Sequence, residues 1–361
     1  MKLRSIGWAV AFALCSLSLP VSAQQAPATI VADAGKAWRH KASGMVLPAT
    51  IAGIARNSVR SFGKDEWDVA GVYELPGLAV ALTVYVYQPA VQDASLWFAE
   101  AQIPVLGRAD RYGKVTEFVP ATPFAPTGSI LATGLRATWS ADGPFKSTAL
   151  AVAPLGFDWI MKIRLSARDK SAAEVDALLT QTLSELKLPR AESAALAAPI
   201  AACATKLKPL VTAKPARNDG ASALLGGLIP SMLADRANKG GTTPKSPPAA
   251  PFCKDDTLSS QLNVYRRDDA REFYVLSTGD SGRAAIAQRD ELASLLSGSK
   301  NEAAVYSVQF VMPGETTVFG NYDRLPPPGQ VIEIVNTGRW KSRTSRTAKG
   351  SNITLNSDAT K

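Results

Sequence analysis

The segment Ala79-Val-Ala-Leu-Thr-Val-Tyr-Val-Tyr87 carries the clearest strand pattern in the chain. It is rich in β-branched and aromatic residues, which favour strands. Successive side chains of a strand point to opposite faces of a sheet. The two faces here are Leu82, Val84, Val86 and Thr83, Tyr85, Tyr87. Neither face carries a charge, so the sequence predicts a central strand that is covered on both sides.

The neighbours of this strand predict an antiparallel sheet with helices. Residues 69–75 also resemble a strand and precede it across a Pro-Gly turn dipeptide, so the two segments are expected to form a hairpin. After the strand, Asp93 is expected to cap a helix that Pro104 and Gly107 end.

Two further patterns complete a first domain at residues 36–190. Residues 159–165 alternate between apolar side chains and polar ones such as Lys162, which predicts a strand with one buried face and one solvent-exposed face. Ser171 and Glu174 then form a capping box at the start of an amphipathic helix that Pro189 ends. Strand hairpins with one helix in the middle and one at the end predict an α+β domain built on a mainly antiparallel sheet.

The arrangement of this first domain resembles the layout of exported PsbP-like proteins. The resemblance lies in the antiparallel sheet with its flanking helices, and no residue motif accompanies it. A shared layout implies a fold and assigns no activity, ligand or site.

The second half of the chain divides into three parts. Residues 191–260 are rich in Ala, Pro and Gly, which is typical of a linker. Residues 261–340 predict a second small α+β domain, and residues 341–361 a basic polar tail whose end, from residue 351, is disordered. Within the second domain we expect a helix at 284–296 and strands at 262–266, 272–277, 305–312, 316–322 and 330–335.

One segment of the linker, residues 221–234, is apolar but interrupted by two Gly and one Pro. One interpretation is insertion at a membrane interface or into a partner's groove. The other is a loop that a disulfide holds over a domain. The loop is favoured because the segment lacks the clean polar face with basic flanks that membrane-surface helices carry.

Residues 1–23 have the organisation of a cleavable signal peptide. Basic residues precede an apolar run at residues 6–19, and Val21-Ser22-Ala23 fits a small-x-small cleavage site. The run is 14 residues long, shorter than the roughly 20 residues of a membrane-spanning helix. We therefore expect a bacterial protein that is exported to the periplasm or the medium, or lies peripherally on the outer membrane. After cleavage it would have no transmembrane segment and would begin with a flexible leader at residues 24–35.

Cys203 and Cys253 are the cysteines that remain after cleavage. Exported proteins meet an oxidising compartment, in which such a pair forms a disulfide. The two cysteines lie 50 positions apart, unlike the close pair of a Cys-x-x-Cys redox motif. The sequence therefore predicts a structural disulfide.

Positive charge is concentrated in the second half of the chain. Residues 24–198 carry 17 basic and 16 acidic residues, whereas residues 199–361 carry 21 and 15. The C-terminal cluster comprises Arg339, Trp340, Lys341, Arg343, Arg346 and Lys349. In a cell envelope it would meet lipid head groups, lipopolysaccharide or another envelope protein rather than nucleic acid. A solvated basic tail is the alternative and is the more common role of such a charge run.

Few motifs suggest catalysis. Gly279-Asp280-Ser281-Gly282 is similar to the tetrapeptide around a serine-protease nucleophile, which makes Ser281 a candidate. The single histidine, His40, is a candidate base, but it is expected to be a lone surface residue. The pattern around Ser281 favours a Gly-rich turn that leads from a strand into a helix. Nucleotide-binding loops and metal-ligand spacings are absent from the sequence, so no cofactor or metal is expected.

These features favour an exported, non-enzymatic envelope protein that binds or scaffolds other components through its basic C-terminal half. One alternative is a small-ligand carrier that uses the sheet face of Thr83, Tyr85 and Tyr87, which requires a cavity on that face. The other is a serine hydrolase that uses Ser281 without a histidine.

Overall fold

The computed structural model describes residues 27–156, 158–189, 191, 195–207, 210–216, 250–290, 304–347 and 350–356. The predicted signal peptide, the apolar segment 221–234, residues 291–296 of the predicted helix and Lys349 lie outside the described residues. The described chain forms two large antiparallel sheets with few helices, which is a mainly sheet α+β fold.

The first sheet has nine strands and lies within residues 28–167. They are β1 (Ala28–Ile30), β4 (Thr50–Ile51), β5 (Ile54–Ser61), β6 (Asp68–Glu74), β7 (Val80–Tyr87), β8 (Val115–Phe124), β9 (Gly134–Ala141), β10 (Ser147–Leu155) and β11 (Trp159–Ala167). Their order is β1-β5-β6-β7-β11-β10-β9-β8, with β4 paired to β5 beside this path. A separate small pair is formed by β2 (Trp38–Arg39) and β3 (Val46–Leu47).

Strand β7 lies in the middle of this sheet, as predicted. It forms the expected hairpin with β6 and pairs on its other side with β11. The prediction that the polar face of β11 meets solvent is wrong, because Lys162 on that face is only 3% exposed. The cause is long-range packing, since a helix and the second sheet cover this face.

Four helices are described: α1 (Ala94–Leu106), α2 (Ala109–Tyr112), α3 (Ala172–Glu185) and α4 (Pro328–Thr337). Two short 3-10 turns occupy Lys64–Glu66 and Pro76–Leu78. None of the described helices is long and apolar enough to cross a membrane.

The predicted helix starts are confirmed. The Asp93 side chain accepts a hydrogen bond from the Leu96 N–H (2.8 Å) at the start of α1, and Ser171 and Glu174 form the capping box of α3. Pro104 does not stop α1 but lies inside its last turn. The helix ends at Gly107.

The second sheet has eight strands in strictly sequential order, each antiparallel to the next. They are β12 (Phe252–Lys254), β13 (Val264–Arg267), β14 (Phe273–Ser277), β15 (Ala284–Arg289), β16 (Tyr306–Met312), β17 (Glu315–Tyr322), β18 (Ser342–Thr347) and β19 (Gly350–Leu355). The strands predicted at 262–266, 272–277, 305–312 and 316–322 are therefore present with slightly shifted ends.

Three sequence predictions for this half are wrong. Residues 284–289 are strand β15 rather than helix, because pairing with β14 and β16 overrides the helix preference of an alanine-rich segment. Residues 330–335 belong to α4, which starts with a proline and ends at Gly338 in the left-handed conformation. The end of the tail is not disordered from residue 351, because residues 342–347 and 350–355 form β18 and β19, which extend the sheet from β17.

The central strands of both sheets have buried apolar residues on both faces, and one of these clusters is shared between the sheets. Helix α3 packs on one face of the first sheet. The opposite face packs against α1 and against residues of the second sheet that include Tyr265, Val275 and Ile286. Helix α4 covers the far face of the second sheet. The domain boundaries stated above stay a prediction.

Candidate functional site

Charged side chains come together on the face of the first sheet that the second sheet covers. Register places Asp68 of β6 directly opposite Tyr87 of β7, and Lys162 of β11 directly opposite Tyr85. Arg164 lies two residues after Lys162 and therefore on the same face. Three neighbouring strands thus contribute one acid, two bases and two aromatic rings to a single face.

The second sheet reaches this face with the turn between β14 and β15, which contains Gly279-Asp280-Ser281-Gly282. The Ala90 N–H donates to the Gly282 carbonyl oxygen over 2.7 Å. Gly282 has φ +80°, and a Cβ atom there would lie 2.7 Å from a ring carbon of Tyr87. A residue with a side chain would be strained and would clash, so glycine permits the close approach of the turn.

Asp280 joins the two sheets through an ion cluster. Lys162 Nζ lies 2.8 Å from Asp280 Oδ2 and also donates to the Asp280 carbonyl oxygen over 2.7 Å. Arg164 donates to the same Oδ2 over 2.5 Å. The Lys162 ammonium is also 4.6 Å from the centroid of the Tyr85 ring, within cation–π range.

Burial acts on the pKa values of Asp68, Asp280 and Lys162. It raises the pKa of the Asp68 carboxyl to about 7, although the Lys162 and Arg283 charges oppose the shift. Burial would also raise the pKa of Asp280, but Lys162 and Arg164 outweigh it and hold that pKa below its ordinary value. Burial lowers the pKa of Lys162, against the attraction of Asp280. A protonated Asp68 beside an ionised Asp280 is thus the expected state below neutral pH.

A cavity of about 160 Å³ lies within this cluster. It is lined by Phe62, Asp68, Tyr85, Tyr87, Lys162, Arg164, Asp280 and Ser281. The Tyr87 hydroxyl and Arg164 Nε are buried and have no hydrogen-bond partner among the described residues. Buried polar atoms normally have a partner, so these two require explanation.

Ser281 lines this cavity, but the hydrolase arrangement is not assembled around it. No hydrogen bond joins Ser281 to a base within the described chain. The turn leads into strand β15 and not into a helix, so the predicted strand-to-helix geometry around Ser281 is wrong.

His40 is buried, not on the surface as predicted, and is 1% exposed. Its Nε2 donates to the Glu66 carbonyl oxygen over 2.9 Å, and Nδ1 lies 2.7 Å from Ser43 Oγ. Burial lowers its pKa, opposed by the bond to Glu66. Both ring nitrogens are therefore engaged in holding the local structure.

The basic C-terminal cluster does not form one patch. Arg343 lies 3.3 Å from a Glu315 carboxylate oxygen and stacks near the Trp340 ring. Arg346 lies an odd number of positions further along β18, on the opposite face, where it lines a cavity of about 280 Å³ between the sheets. Arg339 is exposed and Lys341 is half-buried. Binding of an anionic surface by these residues stays a prediction.

Cys203 and Cys253 lie at disulfide distance, with 4.9 Å between their Cα atoms. The bond ties residues 195–207 to β12, where the Cys203 N–H also donates to the Lys254 carbonyl oxygen. Asp268 is the third potential metal ligand nearby, but it accepts hydrogen bonds from Thr205. With both sulfurs bonded to each other, the group serves as a structural link.

Local sequence patterns did not predict Asp68, Lys162, Arg164 and Asp280 as site residues. The available signal was a lysine and an arginine, two positions apart, inside a strongly apolar strand. Such charges are almost never fully buried without partners, so a covered strand would have required an acidic partner from elsewhere. Comparisons with protein-family models, curated proteins and solved structures found no match for this chain.

Proposed function

We propose that this chain is an exported, non-enzymatic binding protein whose ligand site is the cavity between its two sheets. Its export, its place in the envelope and the PsbP-like layout of its first domain remain predictions from the sequence. The observation that carries the proposal is the buried Tyr87 hydroxyl, which lines a charged cavity without a partner.

The energetic cost of the cluster supports a role in binding. Removing a charge from water costs several kcal/mol per ion, and well-packed apolar residues are often equally stabilising. Lys162 is 3% exposed and pairs with Asp280, whose side chain is 25% exposed, so this cost is incurred here. Perturbed ionisable groups in a cavity are typical of functional sites.

The size and lining of the cavity favour a small polar ligand. A volume of about 160 Å³ is below the roughly 300 Å³ at which pockets for drug-sized molecules begin. Tyr85 and Tyr87 supply the aromatic walls that the sequence suggested for a carrier. Binding rather than catalysis is favoured because no hydrogen bond joins Ser281 to a base among the described residues.

A thermal-shift experiment tests the site. The full chain is mixed with acetate, phosphate, ethanolamine or glucose as probes of anionic, cationic and neutral ligands. The Ser281→Phe variant fills the cavity, and Ser184→Phe places the same side chain on an exposed position of α3 as a control. We expect at least one probe to raise the Tm of the wild type and of Ser184→Phe but not of Ser281→Phe. Equal responses of all three proteins to every probe would refute the proposal.

A further inference from the structure

The atoms in the cavity that lack partners are mainly donors. Arg164 Nε carries a hydrogen and has no acceptor capacity, and the Tyr87 hydroxyl can donate. A guanidinium N–H is satisfied only by an acceptor. What the cavity lacks is therefore an oxygen that accepts hydrogen bonds.

The charges around the cavity also favour an anionic ligand. Lys162 and Arg164 are the cations that line it, and Asp280 is the carboxylate that neutralises part of their charge. Asp68 carries a proton below neutral pH because burial raises its pKa to about 7. Two cations then face one ionised carboxylate, so an added anion is favoured in this cavity and an added cation is not.

The chain itself shows which anion fits. The Asp280 carboxylate approaches from the other sheet, and a single oxygen receives hydrogen bonds from both Lys162 and Arg164. The two cations are thus already arranged to hold an oxyanion, which is a geometry that arginine favours.

We propose that the ligand of this cavity is a small oxyanion, a carboxylate or a phosphate, bound by Lys162 and Arg164 beside Asp280. This inference rests on the proposed function and adds the class of ligand. It also predicts a pH dependence, because ionised Asp68 repels the anion. The groups that act on Asp68 from the surrounding strands and turn are Lys162, Arg283, Asp280, Tyr85 and Tyr87, with Arg164 across the same cavity.

The test measures dissociation constants from thermal shifts over a concentration series of sodium acetate and sodium phosphate, with sodium chloride at matched ionic strength. Lys162→Met should weaken oxyanion binding at least tenfold. Asp280→Asn should strengthen it at least tenfold, because the competing carboxylate is gone. Lys36→Met is the control, since its side chain is 80% exposed and does not line the cavity. If Lys162→Met does not fold, the Asp280→Asn variant and the pH series test whether the cavity binds an oxyanion.

The pH series compares pH 6 with pH 8. The wild type should bind the oxyanion at least threefold more weakly at pH 8, whereas Asp68→Asn should show no such loss. Binding of acetate alone assigns an organic acid, binding of phosphate alone assigns a phosphate, and either supports the inference.

Two failures are distinguishable. If acetate and phosphate act no differently from chloride while glucose or ethanolamine still requires the open cavity, the oxyanion inference is wrong and the binding function stands. If no probe separates the wild type from Ser281→Phe, both are wrong.

Discussion

Asp68 should make a contribution to the stability of this protein that falls as pH rises from 5 to 8. Asp68 is 5% exposed, and burial raises its pKa from an ordinary value of 3.8 to about 7. Between these values the folded protein keeps a proton that the unfolded chain releases. The stability that this proton provides is fully present below pH 3.8 and is lost as pH rises through 7. Each pH unit inside this window is worth about 1.4 kcal/mol, so the change from pH 5 to pH 8 costs about 2.5 kcal/mol.

The measurement is urea denaturation followed by tryptophan fluorescence, for the wild type and for Asp68→Asn at both pH values. Asparagine has no proton to lose, so the difference in unfolding free energy between the two proteins should change by about 2.5 kcal/mol across the range. Asp169→Asn, at an exposed position after β11, is the control and should follow the wild type. A difference that stays constant between pH 5 and pH 8 would show that Asp68 does not titrate as its burial implies.

Three further predictions concern the contacts that join the sheets and the linker. Lys162→Met should lower the free energy of unfolding, measured by urea denaturation, by about 2 kcal/mol, because Asp280 is only 25% exposed and would lose its main partner. Adding Asp280→Asn to this variant should recover part of the loss. Fully additive losses in the double variant would show that Lys162 and Asp280 are not energetically coupled. Gly282→Ala should cost at least about 1 kcal/mol more than Gly53→Ala, since both have φ near +80° but only Gly282 meets neighbouring atoms, and calorimetry should give the two losses as unequal. Reducing the disulfide should cost about 2–4 kcal/mol in the wild type and nothing in Cys203→Ala, and equal sensitivity of both would contradict a structural role.

Local patterns predicted the first sheet well because its strands and caps are encoded by neighbouring residues. The β6–β7 hairpin follows from two apolar runs around a turn, and the start of α3 follows from Ser171 and Glu174. Local patterns could not predict the conformation of a segment that pairs with strands on both sides. Residues 284–289 have a helical composition but pair with β14 and β16, and their neighbours on both sides decide their conformation.

The candidate site could be predicted only in part for the same reason. The face of Tyr85 and Tyr87 was correctly placed opposite Leu82 and Val84, and it does line a cavity. Which groups complete that cavity depends on the pairing of β7 with β11, 73 or more positions away, and on the docking of a turn from the second sheet. Neither contact leaves a local pattern, so Lys162 was interpreted as a solvent-exposed residue.

The two sheets do not need the ion cluster to stay together. Trp97 and Phe98 of α1 are buried in an apolar core that includes Tyr265, Val275 and Ile286 of the second sheet. Buried apolar side chains of this size contribute about 1.5–3 kcal/mol each, which exceeds what a buried ion pair usually adds after desolvation. An interface already closed by apolar packing gains little stability from a lysine, an arginine and an aspartate at its edge. The charges are therefore better explained by the cavity that they line than by adhesion between the sheets, and this is why binding is the function that we propose.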